Sequence, residues 1–217
     1  MPPVKPKLGL NALSCVALIF AAVVLSIIGL AFAVAKSGFL DVPIFDRFYH
    51  GPTPTRLIQA SPLSWDAFSA ELASKIYEQR EYKKPSYTVQ VSEQELSGLI
   101  QSVAKQNLRN GNWKVELVQL AVNPDYMELY IKLAWRETGN LDMLFRFKPL
   151  LDERGNIRFD LLETRVGDYR LPTSWGMALA SNLFARDLGA WELKIGGQNA
   201  IQSVSLLEKG LNIILSK

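Results

Sequence analysis

The sequence predicts an α+β protein in which an N-terminal transmembrane helix is followed by a curved antiparallel sheet packed against about three helices. Three observations predict it. An uncharged apolar run fills Leu13 to Ala35. Strands with period-two alternation, joined by turn residues, follow one another from Trp113 to about Thr164. Segments with apolar residues three and four apart lie on both sides of that meander. No glycine-rich phosphate loop follows a strand and no alternating parallel-sheet pattern occurs, so a dinucleotide-binding fold is not expected.

The apolar run is 23 residues long, interrupted only by Ser14, Ser26 and Gly29. As a helix it spans about 34 Å, enough to cross the hydrocarbon core of a bilayer. Lys5 and Lys7 precede it, which favours a cytoplasmic tail at 1–12, an anchor at 13–35 and an extracytoplasmic C-terminal domain. The rival is a cleaved signal peptide. Ala31-Phe32-Ala33 and Ala33-Val34-Ala35 offer small-x-small sites for cleavage after Ala33 or Ala35, but an apolar core beyond 20 residues exceeds the roughly 7 to 15 of a signal peptide. Retention is the expectation, and either route exports residues 36–217. Cys15 after Ala12-Leu13-Ser14 is preceded by too few apolar residues for a lipoprotein signal.

Charge argues against a nucleic-acid partner. The chain has 24 basic and 21 acidic residues, and removing Lys5 and Lys7 leaves 22 against 21 in the exported part. The hydrophobic share is 48%, and the excess sits in the first 35 residues. With Cys15 as its only cysteine, the chain has neither a disulfide nor a thiolate ligand outside the anchor, so the domain must fold by its core. About 180 residues suffice for one. No Asn-x-Ser/Thr acceptor occurs, in agreement with a bacterial envelope protein.

Residues 36–60 read as an aromatic, proline-punctuated linker whose Phe39, Phe45 and Phe48 either lie at the membrane interface or pack on the domain. From 61 onward the domain proper begins. A helix opens near Ser61 with Trp65, Phe68, Leu72 and Ile76 on one face, and ends by Lys83-Lys84-Pro85. Tyr87 to Val91 alternates as a strand, and Ser92-Glu93-Gln94-Glu95 is a capping box for a second helix with Leu96, Leu99, Ile100 and Val103 inward. In the meander, Met127, Leu129, Ile131, Leu133 and Trp135 form a dry face against a wet face of Glu128, Tyr130, Lys132, Ala134 and Arg136. The next strand sends Leu141, Met143, Phe145 and Phe147 inward and Asp142, Arg146 and Lys148 outward, and a fourth strand runs from Ile157 to about Thr164. Leu171-Pro172-Thr173-Ser174 opens a third helix ending around Gly189, on which Trp175, Leu179 and Leu183 share a stripe. A hairpin closes the chain, Ile201 to Leu207 and Leu211 to Leu215 around Glu208-Lys209-Gly210.

Two short motifs carry a likeness. With Val166-Gly167-Asp168-Tyr169-Arg170-Leu171-Pro172, set after Gly155-Asn156-Ile157-Arg158-Phe159-Asp160 and before a helix, and with Val91-Ser92-Glu93-Gln94-Glu95-Leu96-Ser97, the chain resembles the YpmS-like family of bacterial membrane-anchored extracytoplasmic proteins. The resemblance spans residues 87–217, departs from the family at Ser97, where Asn is common, and implies a single N-terminal anchor with an exported domain. A lipid-binding shape is a further analogy.

The chemistry available is narrow. The one histidine, His50, lies in the linker, so neither a Ser-His-Asp triad nor a zinc site is expected. Asp142, Asp160, Glu163 and Asp168 remain as carboxylates able to pair for hydrolysis. No cofactor or metal site is expected. The favoured expectation is a non-enzymatic module that binds a lipid or another hydrophobic envelope ligand in a helix-sheet groove lined by Met143, Phe145, Phe147, Trp175, Leu179 and Phe184. The alternatives are an envelope scaffold that docks another protein and, last, a carboxylate-dependent hydrolase. The expected partners are the bilayer, through residues 13–35, and a lipid or envelope protein.

Overall fold

Alternation of apolar and polar residues from Trp113 onward builds one antiparallel sheet, and the C-terminal hairpin joins an earlier strand to make a second. A computed structural model describes residues 8–38, 49–80, 86–107, 113–135, 139–152, 157–184 and 201–216. In chain order these contain α1 (Leu8–Ser37), α2 (Trp65–Arg80), β1 (Ser86–Ser92), α3 (Glu93–Asn107), β2 (Trp113–Val122), β3 (Met127–Trp135), β4 (Gly139–Leu151), β5 (Ile157–Val166), β6 (Tyr169–Leu171), α4 (Thr173–Phe184), β7 (Ile201–Leu207) and β8 (Gly210–Ser216). The protein is α+β. Its larger sheet has the order β2-β3-β4-β5-β6 and its smaller one β1-β8-β7, every pairing antiparallel.

One apolar core joins the layers. Val118, Leu120, Leu129, Ile131, Met143 and Phe145 on the inner face of the large sheet are buried with Leu96 and Leu99 of α3, Phe68 and Leu72 of α2, and Val89, Ile213 and Leu215 of the small sheet. Of the stripes read from the sequence, Phe68, Leu72 and Ile76 on α2 and Leu96, Leu99 and Ile100 on α3 are buried, Val103 is half-buried, and the side chain of Trp65 lies outside the described residues. Ala104 is buried one turn beyond Ile100. α2 opens at Trp65, where the Ser64 hydroxyl accepts from Ala67 N–H, rather than near Ser61. The capping box forms in both directions: the Ser92 hydroxyl accepts from Glu95 N–H at 3.2 Å, and the Glu95 carboxylate accepts from Ser92 N–H at 2.6 Å. Lys75 of α2 holds the same carboxylate at 2.7 Å, which ties the two helices together.

Strand β5 carries one extra residue. Arg146 pairs with Glu163 and Phe147 with Leu161, so Leu162 bulges and Glu163 turns to the face that carries Arg146. On the other side of this irregularity, Phe147 and Phe159 meet edge to face at 5.2 Å.

The wet face expected on β3 and β4 is corrected. Glu128, Tyr130, Ala134 and Asp142 are all buried. Over Glu128, Tyr130 and Asp142 the cover is the chain itself, since residues 49–60, the described C-terminal part of the linker, and Ser61 run as a strap across the outer face of β4, β3 and β2. The strap thus packs on the domain over this length; Phe39, Phe45 and Phe48 lie outside the described residues, as does the expected helix end near Gly189. Two smaller differences concern turns. The short β6 was not expected, and in the C-terminal hairpin the positive φ of 66° falls on Lys209, with Gly210 opening β8.

Candidate functional site

Two arrangements set this fold apart, a joint between α1 and the sheet and the polar seat of the strap. At the joint, α1 stops because Gly38 takes a φ of +74° and its N–H donates to the Ala35 carbonyl at 3.1 Å. The turn between β5 and β6 then closes on the helix end. Asp168 N–H donates to the Lys36 carbonyl at 3.0 Å, so the strand turn satisfies an acceptor that a helix C-terminus otherwise leaves unpaired. The Asp168 carboxylate stands 3.5 Å from Lys36 Nζ, and Lys36 lies 5.4 Å over the Phe32 ring. Gly167, at φ +54°, brings its backbone so close that an added Cβ would sit 2.6 Å from the Lys36 carbonyl oxygen, while its N–H donates to the Asp142 carbonyl at 2.8 Å. Ala35 is only 3% exposed, whereas Ile19 to Leu30 stand clear of the domain. The helix is held by its final turns and projects away from there.

The strap is read by side chains rather than by strand backbone. Tyr49 donates its hydroxyl to Asp142 at 2.8 Å, and Tyr130 donates to the other oxygen of the same carboxylate at 2.8 Å. Thr55 gives both its N–H and its hydroxyl to Glu128, at 2.7 and 2.9 Å. Gln119 accepts from Ile58 N–H at 3.2 Å and donates to the Arg56 carbonyl, so one side-chain amide replaces a neighbouring peptide. Arg56 reaches over the sheet end to Glu93, Asn123 Oδ1 and the Val122 carbonyl. Ser61 N–H finally donates to the Gln94 carbonyl, and a Cβ at Gly98 would collide with the Ser61 carbonyl, so only glycine lets α3 pass beneath the strap.

Electrostatics follow from these contacts. Burial, and then the Asp142 carboxylate, raise the Tyr49 and Tyr130 phenols above their ordinary range, so both remain donors. The hydrogen bond to Glu93 raises the Arg56 guanidinium. Burial works against ionisation of Glu163, yet Arg165, Arg146 and Arg170 around it outweigh that and hold its carboxyl below the usual range. Arg146 bridges this cluster to Glu128 at 3.0 Å and lies 5.0 Å over the Tyr126 ring.

The residues named for a hydrophobic groove fall in different places. Met143 and Phe145 are in the solid core, Phe147 and Leu179 are partly buried against it, and Trp175, one turn before Leu179 on α4, is 67% exposed. The side chain of Phe184 lies outside the described residues. A cleft of about 350 Å³ does open beside α4, but it is lined by Leu161, Leu162, Glu163, Thr164 and the segment Arg170 to Thr173, none of them among the six. Of the four carboxylates, Asp142, Glu163 and Asp168 are held by the partners described, and Asp160 is exposed.

Sequence reasoning missed the strap's seat, although one signal was present: Ala121, Ala134 and Leu144 are apolar on the face read as wet, as expected of a sheet covered on both sides. Among known proteins, no family model, curated protein or solved structure matches this chain.

Proposed function

We propose that the protein is a single-pass, membrane-anchored module of the cell envelope whose domain works outside the cytoplasm by binding rather than by catalysis. The observation that carries this reading is the joint. Both signal-peptidase sites lie in α1, and the second ends at Ala35, a buried residue whose neighbour Lys36 is bonded through its carbonyl to Asp168 N–H. Removal of the helix would strip part of the domain's own packing, which favours a retained anchor over a cleaved signal. α1 also meets the physical requirement, since Ile19–Ser37 is long and apolar enough to cross a membrane. Binding rather than hydrolysis is supported by the structural duties of Asp142, Glu163 and Asp168. For the occupant, exposed Trp175 and Met177 on α4 favour another envelope protein.

The test is topological. Full-length protein carrying an N-terminal tag is made in bacterial cells, and protease is added to spheroplasts. The expected result is digestion of the domain from outside, with the tag recovered on a protected membrane fragment. Loss of the tag from the mature chain, or protection of the domain until lysis, would overturn the reading.

A second reading, a hydrophobic ligand held between sheet and α4, draws on the cleft lined by Leu161, Leu162, Leu171 and Pro172. Native mass spectrometry on protein released from membranes checks it. A stoichiometric lipid adduct that disappears in Leu162→Asp would establish it, and a bare mass would remove it.

A further inference from the structure

We propose that the end of the large sheet from which α1 departs is a lipid-facing surface, on which Trp113, Trp135 and Tyr169 sit at headgroup level, flanked by Lys114, Arg165 and Arg170. This deepens the anchored reading and rests on it.

The argument is one of position. Strand pairing places Trp113 opposite Trp135, and Trp135 opposite Gly139, at one end of β2, β3 and β4. The joint occupies that same end: Gly167 N–H bonds to the Asp142 carbonyl, and an added Cβ at Gly38 would lie 2.6 Å from the Asn140 carbonyl oxygen. Tyr169 pairs with Val166 directly beside the turn that closes on Lys36. Two half-buried tryptophans in edge-to-face contact at 4.6 Å, Trp113 with one side against the core, and a tyrosine 37% exposed therefore lie at the end where an apolar helix leaves the domain. Indole and phenol rings, apolar in body and polar at one edge, are the side chains that favour the boundary between acyl chains and water.

The charges agree. Arg165 and Arg170 are cross-strand partners one register step from the Val166 and Tyr169 pair, and both are exposed. Glu163 stands 2.8 Å from Arg165 and 3.8 Å from Arg170, but it is shared with Arg146 as well, so the exposed guanidiniums are not neutralised one for one. Lys114 is exposed beside Trp113. At the opposite end of the sheet the exposed charges are mixed, Asp125, Asp160 and Glu208 standing with Lys148, Arg158 and Lys209. What separates the two ends is therefore the pair of tryptophans, Tyr169 and the departure of α1, with the exposed guanidiniums of Arg165 and Arg170 beside them available to anionic headgroups.

The occupant is a lipid headgroup layer, and the test measures depth. Full-length protein with Cys15→Ala is reconstituted into phosphatidylcholine vesicles containing phosphatidylglycerol, and one spin label at a time is attached to Phe20→Cys, Lys114→Cys, Tyr169→Cys or Asp125→Cys. Collision with oxygen and with a water-soluble nickel complex reports immersion. The proposal expects Phe20→Cys in hydrocarbon, Lys114→Cys and Tyr169→Cys at the headgroup level, and Asp125→Cys in bulk water. If the Lys114→Cys and Tyr169→Cys labels read bulk water while Phe20→Cys reads hydrocarbon, the anchored reading stands and the lipid-facing end is wrong. If Phe20→Cys itself reads water, the anchored reading fails first. Thermal melting of each labelled protein verifies the fold, and two separate reporters at the sheet end keep the outcome independent of either substitution.

Discussion

Gln119, Glu128 and Asp142 do for the strap what a sixth strand's backbone would otherwise do. Each is buried, and each accepts a hydrogen bond from a donor in residues 49–58. Glu128 is the most demanding of them, a carboxylate 1% exposed that holds Thr55 by its N–H and hydroxyl and Arg146 by Nε and Nη2. Glu128→Ala should lower stability by about 2–3 kcal/mol, because it leaves Arg146 and the Thr55 N–H short of a partner in a water-poor site. Chemical denaturation of the detergent-solubilised protein measures this, and a loss under about 0.5 kcal/mol would show that water replaces the carboxylate. Alternation along β3 and β4 correctly separated two faces in the sequence, but it could not say what covered the second one. Polar residues on a strand look the same whether solvent or a strap satisfies them. Tyr49, Thr55 and Arg56 have no periodicity to announce that they are the donors, and Trp175 shows the reverse case: an apolar residue at helical spacing that lies outside the core.

Helix α3 is the element whose local chemistry was most legible, since a capping box is a four-residue signal needing no tertiary context. Ser92→Ala should cost about 1 kcal/mol by leaving Glu95 N–H without its cap. The Glu95 carboxyl adds a pH dependence. Burial opposes its ionisation, but bonds from Lys75 and from the Ser92 hydroxyl and N–H prevail and hold it at about 2. A depressed folded value means that the unfolded chain binds the proton first, so this contribution is present above about pH 4.5 and is lost as pH falls toward 2. Glu95→Gln should therefore flatten the acid limb of the stability curve in that window, as followed by circular dichroism; an unchanged slope would remove the carboxylate from the account. The joint's element, β6, was illegible because three residues cannot display a period. The bulge at Leu162 hid the change of face that puts Glu163 beside Arg146.

At the scale of the molecule, helix, strap and sheet form one mechanical path. Gly167→Ala should lower the melting temperature of the full-length protein, at a cost of about 1–2 kcal/mol, since alanine disfavours φ +54° and its Cβ meets the Lys36 and Ser37 carbonyls. Limited proteolysis should then cut faster near residue 38 than in the parent, and an unchanged cutting rate would show that the joint tolerates the methyl group. The division into an apolar helix and an α+β domain was readable from the sequence, as composition and period are averages over many residues. Their attachment was not, because the bond from Asp168 N–H to the Lys36 carbonyl carries no side-chain signature and the Lys36–Asp168 ion pair joins residues far apart in the chain.

The order of pairing in the small sheet sets a timetable. β1 is formed of residues near the start of the domain, yet its ladder partner is β8, from Ser86 opposite Ser216 to Ser92 opposite Gly210. The turn before β8 also seals the domain, with Glu93 N–H bonded to the Lys209 carbonyl and Lys209 N–H to the Val122 carbonyl. Until the C-terminal hairpin arrives, β1 has no neighbour and the first turn of α3 lacks one of its bonds. A chain that emerges N-terminus first is thereby kept from closing this sheet early, and one that stops short of residue 210 leaves the edge of β1 without its ladder.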